Sequence, residues 1–566
     1  MNLNVKADKS NTYDAIVVGS GISGGWAVKE LTEKGLRVLL LERGRNVEHI
    51  KDYDTALKAP WQFTYRGKLT EEKKKTHYVQ RRARGYNEFN EHFWVNDEEC
   101  PYTEVKRFDW FRGYHVGGRS LMWGRQCYRF SDLDFEANLR DGHGVDWPIR
   151  YRDMAPWYDY VERFAGVSGQ QEGWPFLPDG EFLPPMALNC VEQSVKERIE
   201  KHYDRKRILT IGRVANLTVP HNGRAQCMYR YLCNRGCPFG AYFSTQSATL
   251  PAAMATGKLT LRPYAIVNSV LYDKDTKRAK GVLVIDAETH ETTEYYANVL
   301  FFNASTLATT FILLNSISEA HPNGLGNGSG HLGHNLMDHH FRCGANGEPE
   351  GFEDRTIYGR RPTGIYIPRF RNIHGEKRDY VRGFGYQGGA NRSGWQNTVA
   401  ELAFGRELKG ALAKPGKWTI GLNGFGETLP YYENRAYIDK TKQDKWGQPV
   451  LAIDCEYKAN ELKMREDMMN DAAEMLEVAG IKNVKTYDEK AYPGAAIHEM
   501  GTARMGKDPK TSILNEWNQL HEVRNVFVTD GSCMTSSACQ NPSLTYMALT
   551  ARACDYAVKE MKKNNL

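Results

Sequence analysis

The chain has 566 residues, with 75 basic and 69 acidic side chains and a mean hydropathy of −0.60. This profile is typical of a globular protein large enough to bury more than one core. A net charge of +6 over this length gives no reason to expect a nucleic-acid partner. The sequence contains no apolar run long enough for a transmembrane helix. Its 11 cysteines are mostly scattered, which argues against a disulfide framework.

The N-terminal stretch is polar up to Thr12 and contains neither the apolar core of a signal peptide nor a twin arginine. It leads into residues 14–18, a short β-branched run that predicts a buried parallel strand. A helix is predicted from Trp26 to Lys34, and residues 37–42 predict a second strand. Together these segments form a β-α-β unit.

The turn after the first strand reads Gly19-x-Gly21-x-x-Gly24. Gly19 permits the tight turn, Gly21 lets a pyrophosphate approach the backbone, and Gly24 permits close packing of the helix on the strand. Glu42 ends the second strand, where its carboxylate can bind both ribose hydroxyls of an adenosine. The unit therefore predicts a dinucleotide site, and by itself it does not distinguish FAD from NAD.

Residues 65–110 are aromatic and charged and show little periodicity, which predicts loops. Within them, residues 66–84 carry eight Arg or Lys side chains against two Glu. A solvated loop is the simpler interpretation of this charge, and a docking surface for an acidic protein partner is the alternative.

A second glycine-rich stretch runs from Arg112 through Gly117 and Gly118 to Gly124. A single loop of this kind is a common turn. Two phosphate-cradling loops in one chain suit a long cofactor that passes through the protein, which favours FAD over NAD.

Three cysteines, Cys227, Cys233 and Cys237, lie six and four residues apart, and Pro238 follows the last. Thiolates are the soft ligands that iron–sulfur clusters require, and three of them suit a three-iron cluster better than a four-iron one. Zinc with His221 as a further ligand, or no metal at all, are the alternatives.

Later segments predict mainly β structure. Residues 260–272 pair with residues 279–286, residues 299–302 form a buried strand, and residues 340–460 form an antiparallel sheet. A helix is predicted over residues 461–478. Its apolar face comprises Leu462, Met468, Met469, Ala472, Met475 and Leu476.

Near the C-terminus, a glycine-rich stretch contains His498, a predicted strand at residues 525–530 ends in Asp530, and Asn541 precedes a final helix. A histidine can take a hydroxyl proton near neutral pH, and an amide can orient the same hydroxyl. Alone, His498 would be read as a core histidine. Its position between glycine-rich loops and beside Asn541 favours a catalytic base.

These blocks, in this order, resemble the glucose–methanol–choline (GMC) family of FAD oxidoreductases from Tyr13 to about Ala557. The resemblance implies an α/β fold in which a Rossmann-like FAD-binding domain is interleaved with a substrate domain containing a six-stranded antiparallel sheet. The FAD-binding domain, with the cysteine loop 227–240, is expected to comprise residues 12–50, 100–130, 190–335 and 490–566. The substrate-binding domain is expected to comprise residues 51–99, 131–189 and 336–489.

The resemblance also implies a catalytic pair, His498 and Asn541. It places Asp530 and Gly531 beside the ribityl or phosphate region of FAD and Val267 beside the adenine. The residues expected to bind FAD are Gly19, Ser20, Gly21, Ser23, Gly24, Glu42, Arg43, Arg112, Gly117, Gly118, Ser120, Trp123, Gly124, Val267, Asp530, Gly531, Asn541, Pro542 and Thr545.

Within the family, the blocks look most like the catalytic subunits of bacterial gluconate, glucose and glucoside-3 dehydrogenases. This implies oxidation of a sugar or glycoside, with C3 of glucosides as the expected position, and electron transfer through a 3Fe-4S cluster to a cytochrome c. A signal-bearing small subunit would carry the chain to the periplasm; otherwise it is expected in the cytoplasm. The alternatives are a sugar oxidase that uses O₂ and a non-catalytic flavin-fold subunit.

FAD is expected to be bound without a covalent link. In the pyranose oxidases of this family, a histidine in the second glycine-rich block attaches to FAD, and Met122 occupies that position here. Acid or heat precipitation should therefore release all the flavin into the supernatant, where its absorbance measures it. A washed precipitate that stays yellow would contradict this expectation.

Overall fold

A computed structural model describes residues 11–373, 375–393, 405–413 and 415–566. The strands, in chain order, are β1 Thr12–Val18, β2 Val38–Leu41, β3 Thr103–Glu104, β4 Thr210–Ile211, β5 Leu259–Arg262, β6 Ala265–Asp273, β7 Arg278–Asp286, β8 Thr292–Phe302, β9 His340–Glu348, β10 Ile365–Ile367, β11 Phe384–Arg392, β12 Trp418–Gly426, β13 Arg435–Gln443, β14 Pro449–Asp454, β15 Lys482–Asp488 and β16 Val526–Val528. The α-helices are α1 Ile22–Glu33, α2 Glu71–Thr76, α3 Asp132–Phe135, α4 Ala137–Asp141, α5 Tyr151–Ala165, α6 Cys190–His202, α7 Leu250–Ala255, α8 Thr306–Asn315, α9 Arg406–Leu412, α10 Ala459–Val478 and α11 Ser543–Lys562.

A seven-stranded sheet carries the predicted β-α-β unit. Its order is β5-β2-β1-β8-β7-β6, and β16 pairs with β8. The strands from β5 to β8 are parallel, whereas β6 and β7 join antiparallel. The apolar runs of β1, β2 and β8 are buried because helices cover both faces of such a sheet.

The single strand predicted over residues 260–272 is wrong, because the structure contains two strands there. Pro263, which has no N–H to donate, and Tyr264, whose φ is +57°, interrupt the run. As a result, β5 pairs with β2 and β6 pairs with β7.

A six-stranded sheet of order β15-β9-β12-β11-β10-β4 confirms the antiparallel sheet. Its outer strands β4 and β15 lie outside the predicted range 340–460, and within that range residues 374, 394–404 and 414 lie outside the described part of the chain. Helix α10 covers one face with Met468, Ala472 and Met475, as predicted, and Met464, which was not predicted, joins them. Leu462 was assigned to that face wrongly, since 55% of its surface is exposed.

The predicted domain boundaries stay a prediction. Helix α6 and the residue before β4, which fall in the segment 190–335, contribute Val191, Val195 and Leu209 to the core under the antiparallel sheet. The basic segment 66–84 is not simply a solvated loop, because Val79 and Ala83 are buried in a further core with Trp110. None of the helices in the described ranges is both long and apolar enough to cross a membrane.

Replacing Gly24 by Ala should destabilise the fold, because the added Cβ would lie 1.9 Å from the carbonyl oxygen of Gly19. We expect the free energy of unfolding to fall by about 1–3 kcal/mol, as for other overpacked sites. Gly21→Ala is the matched control in the same turn, since its Cβ meets no heavy atom within 4 Å. Melting temperatures of the two apoproteins measure the difference, and equal values would contradict this account.

Candidate active site

A long cavity opens at the carboxyl ends of β1 and β2 and reaches the loop before α11. Open α/β sheets bind ligands at this edge. The cavity brings together residues that are up to 528 positions apart in the sequence, from Val18 to Tyr546. Of the residues predicted to bind FAD, those that line it are Gly19, Ser20, Gly21, Ser23, Glu42, Arg43, Arg112, Gly118, Ser120, Trp123, Gly124, Val267, Asp530, Gly531 and Asn541.

Four predicted residues are not among those that line the cavity. Gly24 packs against Gly19, and Gly117 lies against the side chain of Gln246. Pro542 is the N-cap of α11, and the Thr545 hydroxyl bonds the Tyr158 hydroxyl at 2.9 Å. These four residues lie behind the walls of the cavity and support them. The sequence motifs do not distinguish such supporting residues from those that line the cavity.

The two glycine-rich stretches form one wall. The N–H of Gly117 donates to Ser20 Oγ at 2.9 Å, and a Cβ on Gly118 would lie 3.5 Å from Gly21 Cα. Glu42 holds the same turn from the other side, since its carboxylate accepts the N–H groups of Ser20 at 3.1 Å and Gly44 at 2.9 Å. Burial raises the pKa of Glu42.

The cavity fits a long polar cofactor such as FAD. Gly21 is the N-cap of helix α1 and provides no side-chain cap, so the first N–H groups of the helix are available to a phosphate. Buried polar atoms among the described lining residues have no partner in the protein, and a bound cofactor would explain them. They are Arg43 Nε, Trp94 Nε1, Arg112 Nε, Arg125 Nε, Asn303 Oδ1 and Tyr546 OH. Asn303, which follows β8, was not predicted; its place at the end of a buried parallel strand was the available signal.

At the other end of the cavity lie His498 and Asn541, the predicted catalytic pair. Asn541 Nδ2 is 3.2 Å from His498 Nε2. Ile497, next to His498, has a φ of +64°, which is unusual for a β-branched residue. The backbone at this point is therefore held by its surroundings rather than by its own preference.

Asp338 supplies that constraint. Its buried carboxylate accepts the N–H groups of Gly494 at 2.8 Å, Ala496 at 3.1 Å and His498 at 3.0 Å. Burial, with the nearby charge of Glu499, raises the pKa of Asp338 to about 7. Sequence analysis missed this residue because its partners lie about 160 positions away.

The pKa of His498 is well below its usual value, because of burial and the nearby His339 and Arg119. Arg119 lines the cavity and forms a two-pronged ion pair with Glu499, at 2.9 and 2.8 Å. At neutral pH His498 is therefore uncharged, which is the form that can accept a proton.

The thiols of Cys227, Cys233 and Cys237 are partly buried and unpaired. They are close enough for the charge of Cys233 to raise the pKa of both Cys227 and Cys237, although burial is the larger cause. Across the described ranges, no three His, Cys, Asp or Glu side chains are arranged to hold a metal ion. The three thiols are therefore not arranged as a metal site in the described structure, and the predicted cluster stays a prediction.

The sequence matches the profile of the GMC oxidoreductase family over residues 13–341, its N-terminal part, and over residues 430–550, its C-terminal part. The chain belongs to the GMC oxidoreductase family. The fold expected from the resemblance is confirmed, and so is the class of enzyme, an FAD-dependent oxidoreductase that acts on CH–OH groups.

Several known proteins align with this chain over most of their length. The chain is 28% identical to 2-methyl-1,2-propanediol dehydrogenase of Mycolicibacterium austroafricanum, covering 96% of this chain and 94% of that protein. It is 23% identical to the fructose dehydrogenase large subunit of Gluconobacter japonicus, covering 98% and 100%. The solved structure of pyridoxine 4-oxidase from Mesorbium loti shares the fold, with a TM-score of 0.62, 16% identity and coverage of 96% and 98%.

Asp338→Asn should change how stability depends on pH. The folded-state pKa of about 7 lies above the ordinary value of 3.8, so ionisation of Asp338 costs stability as pH rises between these values. The variant lacks this titration but also loses an acceptor for buried N–H groups, which costs about 1–3 kcal/mol. The free energy of unfolding of the wild type, measured relative to that of the variant, should therefore fall from pH 5 to pH 8. Melting temperatures across this range test it, and a constant difference would contradict it.

Proposed function

We propose that this protein is a dehydrogenase that oxidises a secondary hydroxyl of a sugar or glycoside, with C3 of a glucoside as the preferred position and a 3-keto-glucoside as the product. One observation carries the proposal of an active enzyme. His498 Nε2 and Asn541 Nδ2 lie 3.2 Å apart at the end of the cavity, where they can face one hydroxyl group together. A non-catalytic flavin-fold subunit would have no use for this pair.

The reaction removes a hydride from the carbon and a proton from its hydroxyl, leaving a carbonyl group. FAD, when bound, supplies the acceptor for the hydride at its N5 atom. His498 accepts the hydroxyl proton on Nε2, because its depressed pKa keeps the ring neutral at neutral pH. Asn541 Nδ2 donates to the same oxygen and orients the C–H bond. Glu42, Arg43 and the turn at Gly21 would hold the adenosine and phosphates.

The sugar as substrate is supported by the similarity to a fructose dehydrogenase large subunit, and the C3 position by the resemblance of the blocks around His498 and Asn541. Anaerobic mixing with methyl glucoside should bleach the flavin, and the product should carry a carbonyl at C3. The matched 3-deoxy glucoside should leave the flavin oxidised. Bleaching by the 3-deoxy sugar would place the oxidation elsewhere, and no bleaching by any sugar would overturn the proposal.

The proposed electron acceptor is a cytochrome c, reached through a 3Fe-4S cluster, and the proposed location is the periplasm. A small subunit as partner is supported by the name of the fructose dehydrogenase relative, which is a large subunit. The alternative is an oxidase that returns its electrons to O₂. Mixing the reduced enzyme with oxygen separates the two, because slow reoxidation is expected of a dehydrogenase and fast reoxidation of an oxidase.

The cluster follows from the cysteine spacing alone and is tested by composition. Protein purified without oxygen should contain about three iron atoms per chain if Cys227, Cys233 and Cys237 bind it. Cys233→Ser should lower the iron content and impair transfer to a cytochrome, while substrate still reduces the flavin. Cys343→Ser, at a buried cysteine outside this loop, is the control. Iron-free wild-type protein that reduces cytochrome at full rate would refute the cluster.

His498→Ala should lower turnover by about 10²–10⁴-fold, the usual effect of removing a general base, without releasing FAD. Asn541→Ala should have a smaller effect on turnover and should also raise KM, since the amide orients the substrate. Turnover with an artificial acceptor, normalised to flavin content, measures both. A folded, flavin-loaded His498→Ala protein with near-native turnover would rule out the assignment.

A further inference from the structure

A chain of hydrogen bonds passes through the catalytic pair. It begins at Gln387 on β11, whose Nε2 donates to Asn541 Oδ1 at 2.6 Å. Asn541 Nδ2 lies 3.2 Å from His498 Nε2, and His498 Nδ1 lies 2.8 Å from His339 Nδ1. The chain ends where His339 Nε2 meets the backbone oxygen of Ala538 at 2.7 Å.

The contact between His339 and the Ala538 carbonyl determines which atom donates the proton in the contact between His339 and His498. A carbonyl oxygen has no proton, so the bond to Ala538 requires that His339 carries its proton on Nε2. Burial lowers the pKa of His339 to about 4, so its ring holds only that one proton at neutral pH. His339 Nδ1 is then an acceptor, and the proton in the contact between the two rings belongs to His498 Nδ1.

We propose that His339 is a positioning residue that holds His498 in the Nδ1–H tautomer, so that the unprotonated Nε2 faces the cavity. The tautomer follows from the hydrogen bonds alone, whereas its effect on the reaction rate rests on the proposed function. The contact with Asn541 favours the same tautomer. Gln387 donates to the Asn541 oxygen, which leaves the Asn541 NH₂ group to donate to an unprotonated His498 Nε2. A neutral histidine without such a partner has two tautomers, and only one of them can accept a proton on Nε2.

The adjacent residues Asp338 and His339 therefore hold the backbone and the ring of His498, respectively. Asp338 accepts the backbone N–H of His498 at 3.0 Å, and His339 accepts from its ring at 2.8 Å. Both are fully buried. The arrangement also serves the protonated state, because the Nδ1–H bond to His339 is unchanged when Nε2 gains a proton from the substrate.

The charged groups near His498 leave its ring to be oriented by the neutral His339. Arg119, paired with Glu499, lies on the cavity side, and the Asp338 carboxylate is occupied by backbone N–H groups. Among these described neighbours, no carboxylate bonds the ring itself. A neutral acceptor orients the ring without making it strongly basic, so the proton taken from the substrate is released readily.

The direct test is the tautomer, measured by ¹⁵N NMR on holoprotein labelled at histidine, with His498→Ala to assign the signals. In the wild type we expect His498 to carry its proton on Nδ1. In His339→Leu we expect a shift toward the Nε2–H form. A wild-type His498 protonated on Nε2 would overturn the proposal. This measurement needs no substrate, so its outcome is independent of whether a sugar is oxidised.

The catalytic consequence is tested by the rate of flavin reduction in a single turnover. His339→Leu should reduce the rate at least tenfold and change the substrate Kd less than threefold, because it alters the base and not the binding surface. His339→Asn, whose Oδ1 can accept from His498 Nδ1, should recover most of the rate. Equal losses in the Leu and Asn variants would overturn the proposal.

The neighbouring His340 provides the matched control. It is also fully buried, and neither of its ring nitrogens has a hydrogen-bond partner in the described structure. His340→Leu makes the same change at the next residue, where β9 begins, and should leave the rate within threefold of the wild type. If His340→Leu loses as much as His339→Leu at equal flavin content, the effect is one of packing and the positioning role is wrong.

Discussion

The carboxylate of Asp338 accepts three backbone N–H groups of one loop, and the geometry of the catalytic end depends on it. The donors on Gly494 and Ala496 are buried, and an unpartnered buried N–H costs free energy comparable to a lost hydrogen bond. The loop cannot move without breaking several of these bonds at once. Because His498 belongs to this loop, its place relative to Asn541 follows from a contact between segments about 160 residues apart.

The opposite end of the cavity depends on close backbone contact. The turn at Gly19 and the start of α1 approach each other more closely than a side chain at Gly24 would allow, and the N–H of Gly117 donates to Ser20 on the same turn. This contact forms a wall of backbone groups, which suits a cofactor with phosphates. The two ends together explain why the chain crosses between its sheets several times. A long cofactor needs one end of its site on the parallel sheet and the reacting end near the antiparallel sheet.

Patterns that are local in the sequence predicted their structures well. The β-α-β unit was predicted because the apolar runs, the glycines and Glu42 all lie within about 30 residues. The prediction of one strand over residues 260–272 failed at Tyr264, because a hydrophobic pattern does not show that a tyrosine has a positive φ. Asp338, His339 and Gln387 were missed for a different reason. Each acts through a partner more than 150 positions away, and a single sequence does not show which distant segments meet.

The strained backbone at Ile497 has a consequence for attempts to engineer a more robust protein. A search for stabilising substitutions would favour glycine at this position, since the left-handed conformation costs a non-glycine residue about 1–2 kcal/mol. Glycine would also remove the Ile497 side chain, which lines the cavity beside the catalytic base, and would make the backbone of the loop more flexible. Heat resistance gained here would be exchanged for a less exact alignment of the substrate, so a stability screen should leave this strained position unchanged.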